Sequence, residues 1–134
     1  MATIQNEILT KASAEDVWDV LRDVGALHTR LVPGFVIDTV LEPGARIVTF
    51  FNGEKAREII VTIDEERKRL VWGAESPSLK HYNASAQVLD EDGQTRFLWT
   101  ADFLPDDAAE RIAYLMGTGI KAAKVALDKL AEEA

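Results

Sequence analysis

Two periods divide the chain. Between Phe35 and Phe103, and in residues 3–9, apolar and polar residues alternate, the two-residue period of strands, whereas the segment after Ser13 and the segment after Pro105 repeat every three to four residues, the period of helices. Strands are predicted at TIQNEIL (3–9), FVIDTV (35–40), RIVTFF (46–51), REIIVTI (57–63), LVWGAE (70–75), HYNASAQVL (81–89) and TRFLWTADF (95–103). Turns separate the last six: Pro43-Gly44, Asn52-Gly53, the charged run DEERKR, Ser76-Pro77-Ser78 and DEDG. Consecutive short strands joined by tight turns read as an antiparallel meander.

The first helical segment is KASAEDVWDVLRDVGAL. Ser13 is its N-cap, Asp16 completes a near capping box, and Val17, Val20, Leu21 and Val24 form one apolar stripe. Gly25 stops it, and a short turn, ALHTRL, follows before Pro33-Gly34. The last helix starts near Asp106-Asp107, with Asp107 and Glu110 as an acidic first turn and possible cap, and runs to about Leu130.

Parity assigns a buried face to each strand. Thr95, Phe97, Trp99, Ala101 and Phe103 point one way; Tyr82, Ala84, Ala86 and Val88 share a face; so do Leu70, Trp72 and Ala74, and Ile59, Val61 and Ile63. A sheet with one apolar face must be covered, and only the C-terminal helix is long enough. Its inward positions are Ile112, Leu115, Met116, Gly119, Ala123, Ala126, Leu127 and Leu130, many of them small. Gly117 and Gly119 interrupt this helix, at roughly 1 kcal/mol each relative to alanine. Either they let the helix approach or bend against the sheet, or small helix residues face Ala84 and Ala86 across a space that a ligand fills.

Composition narrows the function classes. With 134 residues, 47% hydrophobic and 28% charged, the chain is one domain with a real core, neither disordered nor membrane-like. A net charge of -8 argues against nucleic acid. There is no cysteine, so thiol nucleophiles, disulfides and thiolate metal sites are excluded; His28 and His81 are too few for a multi-histidine metal centre. Neither a signal-peptide core nor an apolar run of about 18 residues is present, so the expectation is a cytoplasmic protein without membrane insertion. Phosphate-loop, dinucleotide, GxSxG and HExxH motifs are missing.

Three stretches carry a family resemblance: SAEDVWDVLRD, REIIVTIDEERKRLVW, and GQTRFLWTADFLP leading into the last helix. With the strand order they span essentially the whole chain, which resembles the START-like (SRPBCC) superfamily of polyketide cyclase/dehydrase and lipid-transport proteins. The resemblance implies an α+β helix-grip fold over one domain, residues 1–134: a curved seven-stranded antiparallel sheet around the long C-terminal helix, with two short helices after strand 1. It also implies a cavity for a hydrophobic small molecule, lipid or polyketide-like, with no cofactor and no metal. Lipid carriers, plant hormone receptors, allergens and aromatase/cyclases share the fold, so fold does not fix function. Monomer and homodimer both remain open.

Combined with the parities, the expected lining is Ile59, Trp72, Tyr82, Ala84, Phe97 and Trp99 from the sheet, and Met116, Gly119 and Ala123 from the helix. Trp72 and Trp99 suit planar ligands, or are plain core. Catalytic residues are not assigned; Tyr82, His28 and Arg30 are the candidates for a cyclase, which needs groups that polarise carbonyls or move protons. Tyr82 is otherwise a core tyrosine, and His28 and Arg30 surface residues. Trp18 reads as packing and His81 as outward. Of Arg57 and Glu58, adjacent in the strand, one points inward, and a buried charge there needs a partner. The readings are a binding or carrier module, an aromatase/cyclase-type enzyme, and a protein-interaction module without a small ligand.

Overall fold

The computed structural model describes residues 1–134. Seven strands form the sheet: β1 (Ala2–Thr10), β2 (Val36–Glu42), β3 (Ala45–Phe50), β4 (Lys55–Asp64), β5 (Arg69–Glu75), β6 (His81–Glu91) and β7 (Gln94–Leu104). All neighbouring pairs are antiparallel, in the order β1-β7-β6-β5-β4-β3-β2. The meander therefore runs from β2 to β7, and β1 returns to pair with β7. The turn between β3 and β4 places Gly53 at φ +86°, a conformation glycine adopts without steric cost.

Helix α1 (Ala14–Arg22) follows β1, and its Ser13 Oγ accepts from the Asp16 N–H at 3.1 Å, as the cap predicts. Val17, Trp18, Val20 and Leu21 form its buried stripe. The helix ends before Gly25, and the second short helical segment follows as expected, as a 3₁₀ turn at Val24–Ala26 and a wider π-type turn at Leu27–Leu31. The long helix α2 (Ala109–Glu133) is preceded by a 3₁₀ turn at Asp106–Ala108. Asp107 does not cap it: Ala108 occupies the cap position, and Asp106 instead pairs with the N-terminal amine at 3.1 Å. No helix is long and apolar enough to cross a membrane.

α2 lies across the concave face of the curved sheet, packed against β1 and the 27–31 turn. The core between them includes Leu70, Phe103, Met116 and Leu127, and α1 adds Val17 to it, all under 2% exposed. Each such Leu or Phe contributes roughly 1.5–3 kcal/mol by leaving water. Ile112, Met116, Gly119, Ala123 and Leu127 are buried on α2 as the helical spacing predicts, and Ile120 joins them.

One strand departs from the parity reading. In β4 the inward set is Ala56, Glu58 and Ile60, while Ile59, Val61 and Ile63 are exposed. Ile59 pairs in register with Ala45 and Gly73, on the face turned away from α2. A bulge between Ile60 and Thr62 breaks the alternation further along. Ile59 thus sits on the outer face, and the inner position between Ala56 and Ile60 is taken by Glu58 of a buried ion pair.

Candidate functional site

Sheet and helix do not close completely. Between them lies a cavity of about 140 Å³, and 20 of its 27 lining residues are hydrophobic. A cavity of about this size accepts a benzene-sized ligand. From the sheet it is lined by Trp72, Tyr82, Phe97 and Trp99, and from α2 by Met116, Gly119 and Ala123. Ala84 is buried beside its register partner Trp72 and does not reach the cavity, whereas Ala86 does. Ile59 lies on the other face of the sheet. The 27–31 turn closes one side through Leu27 and Leu31, and Phe35 and Phe50, 5.4 Å apart and edge to face, close another.

The cavity has a polar inner wall. Arg46 of β3 and Glu58 of β4 are register partners on the concave face. Arg46 Nε donates to Glu58 Oε1 at 2.8 Å, and the two side chains are only 3% and 10% exposed. Arg46 Nη1 donates to the Val24 carbonyl at 3.2 Å, and the guanidinium carbon lies 5.7 Å from the centre of the Trp72 ring. Two ions at this depth are tolerated because each neutralises the other; removing one alone costs about 3–5 kcal/mol. Arg57, the alternate residue, points outward to Glu42 and Glu75.

Tyr82 completes this wall. Burial first, then the Glu58 carboxylate, push its phenol well above the ordinary value of 10.0. It is therefore protonated throughout the physiological range and acts as a hydrogen-bond donor. The Trp99 indole N–H approaches the Tyr82 oxygen closely enough to offset part of that rise, yet makes no hydrogen bond and is buried without a partner. Trp72 and Trp99 stand 6.4 Å apart between ring centres, tilted 40° to each other. At the mouth, Glu54, Lys55, Ser76 and Arg111 meet water, and Arg111 donates to Ser78 Oγ at 2.9 Å.

The other candidates lie outside the cavity. Arg30 joins the 27–31 turn to α1 through Asp19 at 2.9 Å and Asp23 at 3.0 Å. His28 is half-buried in the same turn, its Nδ1 buried without a partner, and does not line the cavity. Trp18 donates to Glu65 Oε2 at 2.8 Å and is packing, as read. His81 is exposed.

Sequence reasoning missed Arg46. The signal was its parity with Val48 and Phe50, an arginine on an apolar face opposite a glutamate.

The family model for polyketide cyclase / dehydrase and lipid transport matches residues 1–134. The chain belongs to that family. A Thermobifida fusca protein solved by NMR is 27% identical, with a TM-score of 0.79 over 99% of this chain and 95% of that one. Norcoclaurine synthase from Thalictrum flavum is 20% identical, with a TM-score of 0.74 over 99% and 94%. A START superfamily protein from Mycobacterium smegmatis is 11% identical, with a TM-score of 0.72 over 98% and 97%. The last two likenesses establish the START-like helix-grip fold alone. No curated protein matches the chain.

Proposed function

We propose that the domain binds a hydrophobic small molecule in the cavity between the sheet and α2, as a carrier or sequestering protein. The observation that carries this reading is the largely apolar cavity ending on Arg46, Glu58 and Tyr82. Apolar walls with a few placed polar groups are the usual form of a small-molecule site. Trp72, Tyr82, Phe97, Trp99, Met116, Gly119 and Ala123 are its contact residues in this reading.

A cyclase-type enzyme is the second reading, and Tyr82 favours it. A protonated phenol beside an arginine can polarise a ligand carbonyl, the first need of polyketide cyclisation. The fold also accommodates enzymes, since one neighbour is a synthase. Proton removal would fall to Glu58, already engaged by Arg46, so binding is the better supported of the two. A role in protein interaction alone would leave the cavity without a purpose.

The test is extraction of small molecules from gently purified protein with identification by mass spectrometry, beside Ala123→Leu, which fills the cavity from α2. A stoichiometric apolar compound that is lost in the folded variant supports the reading. Absence of any such compound, together with no saturable binding of a neutral aromatic probe, overturns it.

A further inference from the structure

The polar wall is a single row across the sheet. Arg46 pairs with Glu58, and Glu58 with Ala74. Gly73 pairs with Asn83, so Tyr82 occupies the next place beside Ala74. Three polar side chains thus flank one small one on the concave face. Strands lie about 4.8 Å apart, so Glu58 and Tyr82 are separated by roughly 10 Å of backbone with only a methyl group between them. An atom resting over Ala74 would have the ion pair on one side and the phenol on the other.

The hydrogen-bonding capacity of this row is unbalanced. Arg46 spends Nε on Glu58 and Nη1 on Val24, and Nη2 has no partner in the chain. The Trp99 indole N–H is buried and unpaired. Tyr82 carries a hydroxyl proton. These three donor groups stand against two acceptors in the row, the unengaged Glu58 Oε2 and the Tyr82 oxygen that Trp99 approaches, which leaves a place for an oxygen acceptor from the ligand. The charge, in contrast, is balanced. Arg46 and Glu58 are the only charged residues at the inner end, and they sum to zero. The remaining charged lining residues, Glu54, Lys55 and Arg111, are exposed at the mouth, where water screens them.

We propose that this row recognises an uncharged oxygen acceptor, a ketone, ester or quinone-type carbonyl, and that Glu58, by neutralising Arg46, excludes carboxylates from the cavity. The proposal rests on the ligand-binding reading above and names the ligand class for the same site. A carbonyl oxygen over Ala74 accepts from Tyr82 and from the free guanidinium nitrogen without adding charge. A carboxylate placed there leaves a buried net charge of minus one beside Glu58, which burial penalises heavily. The ligand is thus an apolar body with one carbonyl at its inner end, and free fatty acids and aromatic acids are rejected.

The experiment uses three single-ring probes of similar size: ethylbenzene, acetophenone and benzoate. Each is titrated into the full chain near neutral pH, and the indole N–H signals of Trp72 and Trp99 are followed by NMR. Acetophenone is expected to bind roughly five- to tenfold more tightly than ethylbenzene, the value of one net hydrogen bond. Benzoate is expected to bind at least about 100-fold more weakly than acetophenone. Tyr82→Phe removes most of the preference for acetophenone over ethylbenzene. Glu58→Gln frees the Arg46 charge and raises benzoate affinity by at least about 30-fold, reversing the order.

Acetophenone binding no more tightly than ethylbenzene overturns the proposal. So does benzoate binding the native protein as well as acetophenone. If Glu58→Gln does not fold by circular dichroism, the native series and Tyr82→Phe decide alone. Failure of all three probes to bind overturns the cavity reading itself, whereas equal binding of all three overturns only the oxygen site.

Discussion

Gly117 and Gly119 are two residues apart, so they face opposite sides of α2. Gly119 faces the sheet. A methyl group built there meets Phe35 Cε2 at 2.9 Å and Trp99 Cζ3 and Cη2 at 3.0 and 3.1 Å. Gly117 faces away, and a methyl group there meets nothing within 4 Å. Gly117→Ala recovers the helix propensity that glycine forfeits, about 0.8–1 kcal/mol. For a domain of this size that raises Tm by about 3–5 °C. Gly119→Ala makes the same gain but forces two rings aside, and overpacking of this kind costs about 1–3 kcal/mol. Its net effect is neutral to about 2 kcal/mol destabilising. Urea unfolding followed by circular dichroism measures both, with an unchanged m-value showing that the shift in midpoint is a change in stability. A Gly119→Ala protein as stabilised as Gly117→Ala would refute the close-approach argument. A Gly117→Ala protein that loses stability would refute the propensity argument.

Two other changes test the first half of the chain. Ser13→Ala removes the hydroxyl that accepts from the Asp16 N–H and is expected to cost about 1 kcal/mol in urea unfolding, whereas Ser13→Asp restores the cap and most of the stability. Glu65 is held below its ordinary value of 4.5 by the Trp18 indole N–H first and the Arg22 guanidinium second. A depressed carboxylate contributes stability above its unfolded value and loses it as pH falls through the folded one. The stability gap between native protein and Glu65→Gln is therefore expected at neutral pH and should narrow from about pH 5 downward; a gap unchanged at about pH 3 contradicts the assignment.

Most of the fold was legible because its signals are local. Asn52-Gly53 forces a hairpin whatever the flanking strands contain, and Ser13 caps a helix through atoms three residues away. β6 and β7 were read correctly face by face because each is apolar on one side only: Ala84, Ala86, Phe97, Ala101 and Phe103 are all buried. Ala84 still missed the cavity, since parity gives a face but not the height of its neighbours. Its side chain ends at a methyl group, beside the far larger Trp72 in register, and of the two only Trp72 lines the cavity.

β4 failed for a different reason. Two alternating sets were available, Ala56-Glu58-Ile60 and Ile59-Val61-Ile63, and hydrophobicity selects the second. The correct one contains a glutamate that is buried only because Arg46 lies opposite on β3, twelve residues earlier. Neither residue reads as interior by itself, and the pairing that buries them is a property of the register. Apolar residues of the same shape would hold this part of the sheet as well or better, since a buried ion pair recovers little more than its own desolvation. Stability alone therefore does not account for the pair. What it adds is charge balance and unspent donors at the end of an otherwise apolar cavity, so the position where apolar patterning misleads is also where ligand chemistry is expected.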